Sequence, residues 1–110
     1  MTERLSIDVH AHEDGVRLEL HGELDLTTIV ALRSCLDVLD PRGRVVVFDL
    51  AGISFLDSTG IHELLRARQR CAAEGRRMEV VGAQPTVRRV LDIAGVELVD
   101  DDGAMPPGDG

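Results

Sequence analysis

Aromatic side chains are nearly missing: Phe48 and Phe55 are the only two among 110 residues, and there is no Trp or Tyr. The core must then be aliphatic, and the chain lacks the platforms on which single-stranded nucleic acids stack their bases. Lysine is absent as well, every basic side chain being arginine. That removes a phosphate-loop lysine and all Schiff-base chemistry. The two cysteines, Cys35 and Cys71, fall in segments that read as helices and lack zinc spacing. They read as reduced small hydrophobes of a cytoplasmic protein. No apolar run approaches ~20 residues, and Met1-Thr2-Glu3-Arg4-Leu5 has no apolar signal core, so neither membrane insertion nor export is expected.

Apolar residues make up 44% of the chain, enough for one domain with one core. The formal net charge is −8, and four of the aspartates, Asp100, Asp101, Asp102 and Asp109, crowd the last eleven residues. An acidic body argues against nucleic acid, whose binding rests on phosphate neutralisation. Residues 100–110, rich in Asp, Gly and Pro, read as a disordered acidic tail behind a domain spanning 1–99.

Hydrophobic periodicity sets the element order. Leu5 to His10 and Val16 to His21 alternate with period two around a Glu13-Asp14-Gly15 turn, predicting a hairpin. Ile29, Leu32, Leu36 and Leu39 then line one helical face, with Thr27 or Thr28 placed to cap it and Asp40-Pro41-Arg42-Gly43 to stop it. Val45 to Phe48 reads as a central strand, followed by a loop from Leu50 to Asp57. Ile61, Leu64, Leu65, Cys71 and Ala72 predict a second helix ending at Gly75, and Met78, Val80 and Val81 a short strand. Pro85 opens a third helix with Val87, Val90, Leu91 and Ala94 on its buried face and Gly95 just beyond its end. Val96 to Val99 is a candidate closing strand. The order β-β-α-β-α-β-α-(β) predicts an α/β fold, a mixed sheet of four to five strands with helices packed against it.

Asp57-Ser58-Thr59-Gly60 falls where the second helix begins. The amides there lack intrahelical partners, so small polar side chains cap them and negative charge is locally favourable. The simplest reading is an ordinary cap. Gly22-Glu23-Leu24-Asp25-Leu26-Thr27-Thr28 and Asp49 to Ile61 together add to it, because both segments, at this spacing and in this element order, resemble the STAS domain, and within it the bacterial anti-sigma factor antagonists. The resemblance runs from about Leu5 to Val99. It implies a non-enzymatic partner-switching protein. The unmodified form binds an anti-sigma factor, commonly a GHKL-type serine kinase, and so frees a sigma factor; phosphorylation ends the binding and a PP2C-type phosphatase restores it. Carried onto this sequence, the resemblance makes Ser58 the acceptor, with Thr59 a second choice, and Asp25, Thr27, Asp57, Ser58, Thr59 and Gly60 the partner-binding residues. No cofactor is implied. A soluble STAS partner of a membrane transport system is the alternative it leaves.

Other chemistries fit poorly. Phe55-Leu56-Asp57-Ser58-Thr59-Gly60 is like the motif of retroviral-type aspartic proteases, but its Gly comes one residue late and a helical pattern follows. His62, one helical turn from Ser58, makes no triad, and there is no Gly-x-Ser-x-Gly elbow. His10 and His12 share a strand face, yet the sequence offers them no third metal ligand nearby. Arg66, Arg68, Arg70, Arg76 and Arg77 have few acidic neighbours in sequence and read as a solvated basic face.

Overall fold

The computed structural model describes residues 4–38 and 44–99. Strands β1 (Leu5–His12) and β2 (Gly15–Leu24) form the expected antiparallel hairpin, with His12 opposite Gly15. Helix α1 (Ile29–Val38) crosses to β3 (Val45–Leu56), α2 (Ser58–Ala73) to β4 (Arg77–Val81), and α3 (Pro85–Ala94) follows. The sheet order is β1-β2-β3-β4, with β2, β3 and β4 parallel.

Alternation along the strands separates two faces. Val16, Leu18 and Leu20 of β2, Val46, Phe48 and Leu50 of β3, and Val80 of β4 point the same way. They share one buried cluster with Ile29 and Leu32 of α1, Leu64, Ala67 and Cys71 of α2, and Val87 and Leu91 of α3. All three helices thus cover that face; for α1 and α2 this is what right-handed crossovers in a sequentially ordered sheet require. The other face carries Asp8, His10, Arg17, Glu19, His21, Asp49 and Glu79. Arg17 lies flat there, 2% exposed, donating from Nη2 to Asp49 Oδ2 at 2.6 Å.

Several expectations need correction. The predicted loop from Leu50 to Asp57 is strand as far as Leu56. Ala51, Gly52 and Ser54 are poor strand formers. Pairing with β2 overrides this, setting Gly22 beside Ile53 and Leu24 beside Leu56, and two register shifts along the pair blur the alternation. Val96 to Val99 forms no strand among the described residues; one bond, Val99 N–H to the Val80 carbonyl at 3.0 Å, holds it to the outer edge of β4. On α3 only Val87 and Leu91 are buried, while Val90 and Ala94 are exposed. On α2, Glu63 and Ala67 join the buried face and Ala72 does not. Gly95 does sit just past α3, in the left-handed conformation at φ 83°. Leu39, the Asp40-to-Gly43 stop and the acidic tail lie outside the described residues.

The five arginines read as a basic face are paired individually. Arg66 meets Glu63, Arg70 meets Asp37, Arg76 meets Glu74, Arg77 meets Glu79, and Arg68 donates to the Glu97 carbonyl. Two of these partners, Asp37 and the Glu97 carbonyl, lie about thirty residues away, and the other three are carboxylates within three residues of their arginines. Glu63 is 5% exposed and also accepts from Arg33 Nε at 2.8 Å, tying α1 to α2. Burial pushes the Cys35 and Cys71 thiols up, keeping them protonated near neutral pH. No described helix is long and apolar enough to cross a membrane.

Candidate functional site

The carboxyl ends of β2 and β3 lie side by side, and from each the chain turns into a helix. Asp57 caps α2: its φ of −106° and ψ of −173° are extended, and Oδ1 accepts from the amides of Thr59 at 2.9 Å and Gly60 at 3.2 Å. The Asp57 carbonyl accepts from the Ile61 amide, closing the first turn. The cap is therefore Asp57 and not Ser58. An aspartate is well suited to it, bringing both an acceptor and negative charge to the positive end of the helix.

Ser58, free of capping duty, occupies the first helical position and is exposed. Among the described residues its hydroxyl has no hydrogen-bond partner. Thr59 is half-buried and Gly60 buried. The two hydroxyls differ in position: Ser58 stands clear of the core, and Thr59 is partly covered.

Gly60 has a packing role. A Cβ there would lie 2.5 Å from Leu56 Cδ1 and 3.0 Å from Leu24 Cβ. Its absence lets the first turn of α2 seat directly on β2. The Asp57 amide donates to the Leu24 carbonyl at 3.1 Å, joining the two loops. Buried as it is, Gly60 serves the expected partner-binding set by placing Ser58 and offers little surface of its own.

The neighbouring loop is more tightly closed. The turn that leads into α1, where the sequence placed Thr27 or Thr28 as a cap, is closed by Asp25. Its Oδ1 accepts from the amides of Thr27 at 2.9 Å and Thr28 at 3.0 Å and from the Thr27 hydroxyl at 2.7 Å. Thr28 Oγ1 takes the Asp25 amide at 2.9 Å and donates to the Glu23 carbonyl at 2.8 Å. Arg4 completes the network, Nη2 reaching Glu23 Oε1 and Asp25 Oδ2, both at 2.5 Å, and Nη1 donating to Thr27 Oγ1 at 2.7 Å. The Thr27 hydroxyl first, then the Thr28 and Thr27 amides and the Arg4 charge, outweigh desolvation and lower the Asp25 pKa from 3.8 to about 2. Exposed Leu26 and Val30 stand one helical turn apart beside this loop.

Asp25, Thr27, Asp57, Ser58 and Thr59 thus share one end of the sheet, linked through the backbone of Leu24 and Asp57. Sequence reasoning missed Arg4, which lies 21 residues from Asp25 and carries no local signal.

Comparison with known proteins places this architecture. Residues 6–100 match the model of the STAS domain family. An anti-sigma F factor antagonist of Paenibacillus polymyxa is 30% identical over 94 residues, covering 84% of this chain and 80% of that protein. Among solved structures, the anti-sigma factor antagonist SpoIIAA in its unphosphorylated form superposes with a TM-score of 0.75 at 22% identity, over 86% of this chain and 87% of the other. The Bacillus SpoIIAA in its phosphorylated form gives 0.67 at 20% identity, over 86% and 90%.

Proposed function

Because the chain belongs to the STAS domain family, we propose that it is an anti-sigma factor antagonist, switched off by phosphorylation of Ser58. In this reading the unmodified protein binds an anti-sigma factor that is also a GHKL-type serine kinase. A PP2C-type phosphatase returns the modified protein to the binding state. The observation that carries the proposal is the unpartnered, exposed Ser58 hydroxyl at the first position of a helix already capped by Asp57. The antagonist named among its relatives supports the same reading.

A phosphoryl group on Ser58 adds about −1.5 to −2 charges at neutral pH. At a helix start that charge is locally stabilising, so the fold is expected to persist. Fold similarity extends to both the unphosphorylated and the phosphorylated SpoIIAA structures, as an architecture that tolerates the modification would. Inhibition then arises at the interface. A dianion beside Asp57 must be desolvated against the partner, and unfavourable juxtaposition of this kind costs several kcal/mol. About 2.8 kcal/mol is already a hundredfold in affinity. No rearrangement of the domain is needed.

The test is phosphosite mapping by mass spectrometry on the protein recovered from its own cells, together with identification of what co-purifies. Phosphate on Ser58, and a GHKL-type kinase bound only to the unmodified fraction, is the expected result. Equal recovery of the kinase with both forms would overturn the switch.

A further inference from the structure

Helix α3 carries more apolar surface than the sheet beneath it covers. Val87 and Leu91 face inward and are buried in the core. Thr86, Arg89, Val90 and Ile93 follow the i, i+3, i+4, i+7 spacing of one helical stripe, and all four are exposed. Within that stripe Val90 is 36% and Ile93 80% exposed, one turn apart. A single exposed isoleucine means little. Here two branched side chains stand together on the outer side of one helix.

The charges beside them are a second observation. The arginines of α2 are each held by a carboxylate or a carbonyl. Arg89 and Asp92 stand one turn apart on α3, yet among the described residues neither side chain makes an ion pair or a hydrogen bond. At about 100° per residue, both lie on the same flank of the Val90–Ile93 pair.

We propose that α3 is a self-association surface, on which a second copy of this chain docks antiparallel about a two-fold axis. A two-fold contact uses the same patch on both copies, which must then complement itself. Reversed direction sets Val90 of each copy against Ile93 of the other and brings like flanks together. Arg89 of each copy then reaches Asp92 of the other, giving two equivalent ion pairs beside an apolar centre. A uniformly acidic partner helix would suit Arg89 but oppose Asp92, and a uniformly basic one the reverse. Only a face carrying both charges in the same order satisfies both.

The contact is small. A helix of 10 residues is about 15 Å long, so one face of it falls short of the roughly 800 Å² per partner of a standard interface. The formal net charge of −8 also opposes close approach of two copies. The dimer is therefore weak, with a Kd on the order of 0.1 mM. The surface uses none of the residues around Ser58 and does not rest on the proposed switch.

Sedimentation equilibrium on the full chain, from about 10 μM to about 1 mM, tests the surface. Expected is a reversible monomer–dimer equilibrium, weakened at least about tenfold by Ile93→Arg. Ile93 is exposed, so folding is not at stake. Arg89→Asp and Asp92→Arg should each weaken self-association. An equimolar mixture of those two variants should regain it, because each supplies the charge the other now needs. A chain that stays monomeric at about 1 mM leaves the face to another occupant and overturns the proposal. So does a dimer that Ile93→Arg leaves intact, or a mixture that associates no better than either variant alone.

Discussion

Asp25 and Asp57 stand at corresponding places, each at the carboxyl end of a parallel strand and each holding the amides two and three residues ahead, Asp57 as the cap of α2 and Asp25 in the turn before α1. Their surroundings differ. Asp25 has both oxygens engaged, by the Thr27 hydroxyl, two amides and Arg4. Asp57 holds two amides through one oxygen and leaves the next side chain, Ser58, open to solvent. The first start is saturated and rigidly specified. The second is capped just enough to fix the helix while presenting a hydroxyl. The same residue type at the end of a strand therefore yields a closed loop on one strand and an exposed hydroxyl on its neighbour, and what separates them is the supply of partners from elsewhere in the chain.

The largest expected effect comes from closing the open start with charge. Ser58→Asp should weaken binding of the anti-sigma partner about a hundredfold, measured by calorimetry, with the melting temperature nearly unchanged. Unfolding by that substitution would show that the two starts do not differ in the way described. Next comes the packing beneath Ser58. Gly60→Val must displace Leu56 and Leu24, and a loss of about 1–3 kcal/mol in denaturant unfolding is expected. Wild-type stability would mean that α2 can shift on β2 without cost.

Smaller still is the cap itself: Asp57→Ala should cost about 1 kcal/mol in the same measurement. For Asp25 the comparison is sharpened by acid. Its folded-state pKa is depressed, so its contribution is fully present above the ordinary value of 3.8 and is lost as pH falls through about 2. The melting-temperature difference between the wild type and Asp25→Asn should therefore shrink between pH 4 and pH 2. A difference independent of pH would remove the carboxylate network from the account. Arg4→Gln, at the exposed end of that network, should produce the least change in stability while narrowing the same acid window.

Much of this molecule was legible because the signals were local. The hairpin, the three helices and the helix start at Asp57 follow from period-two and period-3.6 alternation and from capping residues within a few positions of what they cap. The second half of β3 was not legible. Ala51, Gly52 and Ser54 argue against a strand, and only pairing with β2 more than thirty residues away overrides them. The role of Asp25 in the turn before α1 was hidden for a related reason. Thr27 and Thr28 are good cap residues, but both lend their amides to Asp25, and Arg4 reaches across from the start of β1 to hold it.

By itself, then, the sequence determined the element order, an aliphatic core with few aromatic side chains, and an Asp-Ser pair at a helix entrance, since each depends on composition or on neighbours a turn apart. The tertiary structure decided which of the motif's residues face solvent, that Asp57 is the cap, that Gly60 serves packing, that Asp25 is locked by Arg4, and that Asp8, Glu19 and His21 come together. Those outcomes depend on strand register and on pairs far apart along the chain, where a shift of one residue would turn every side chain to the opposite face.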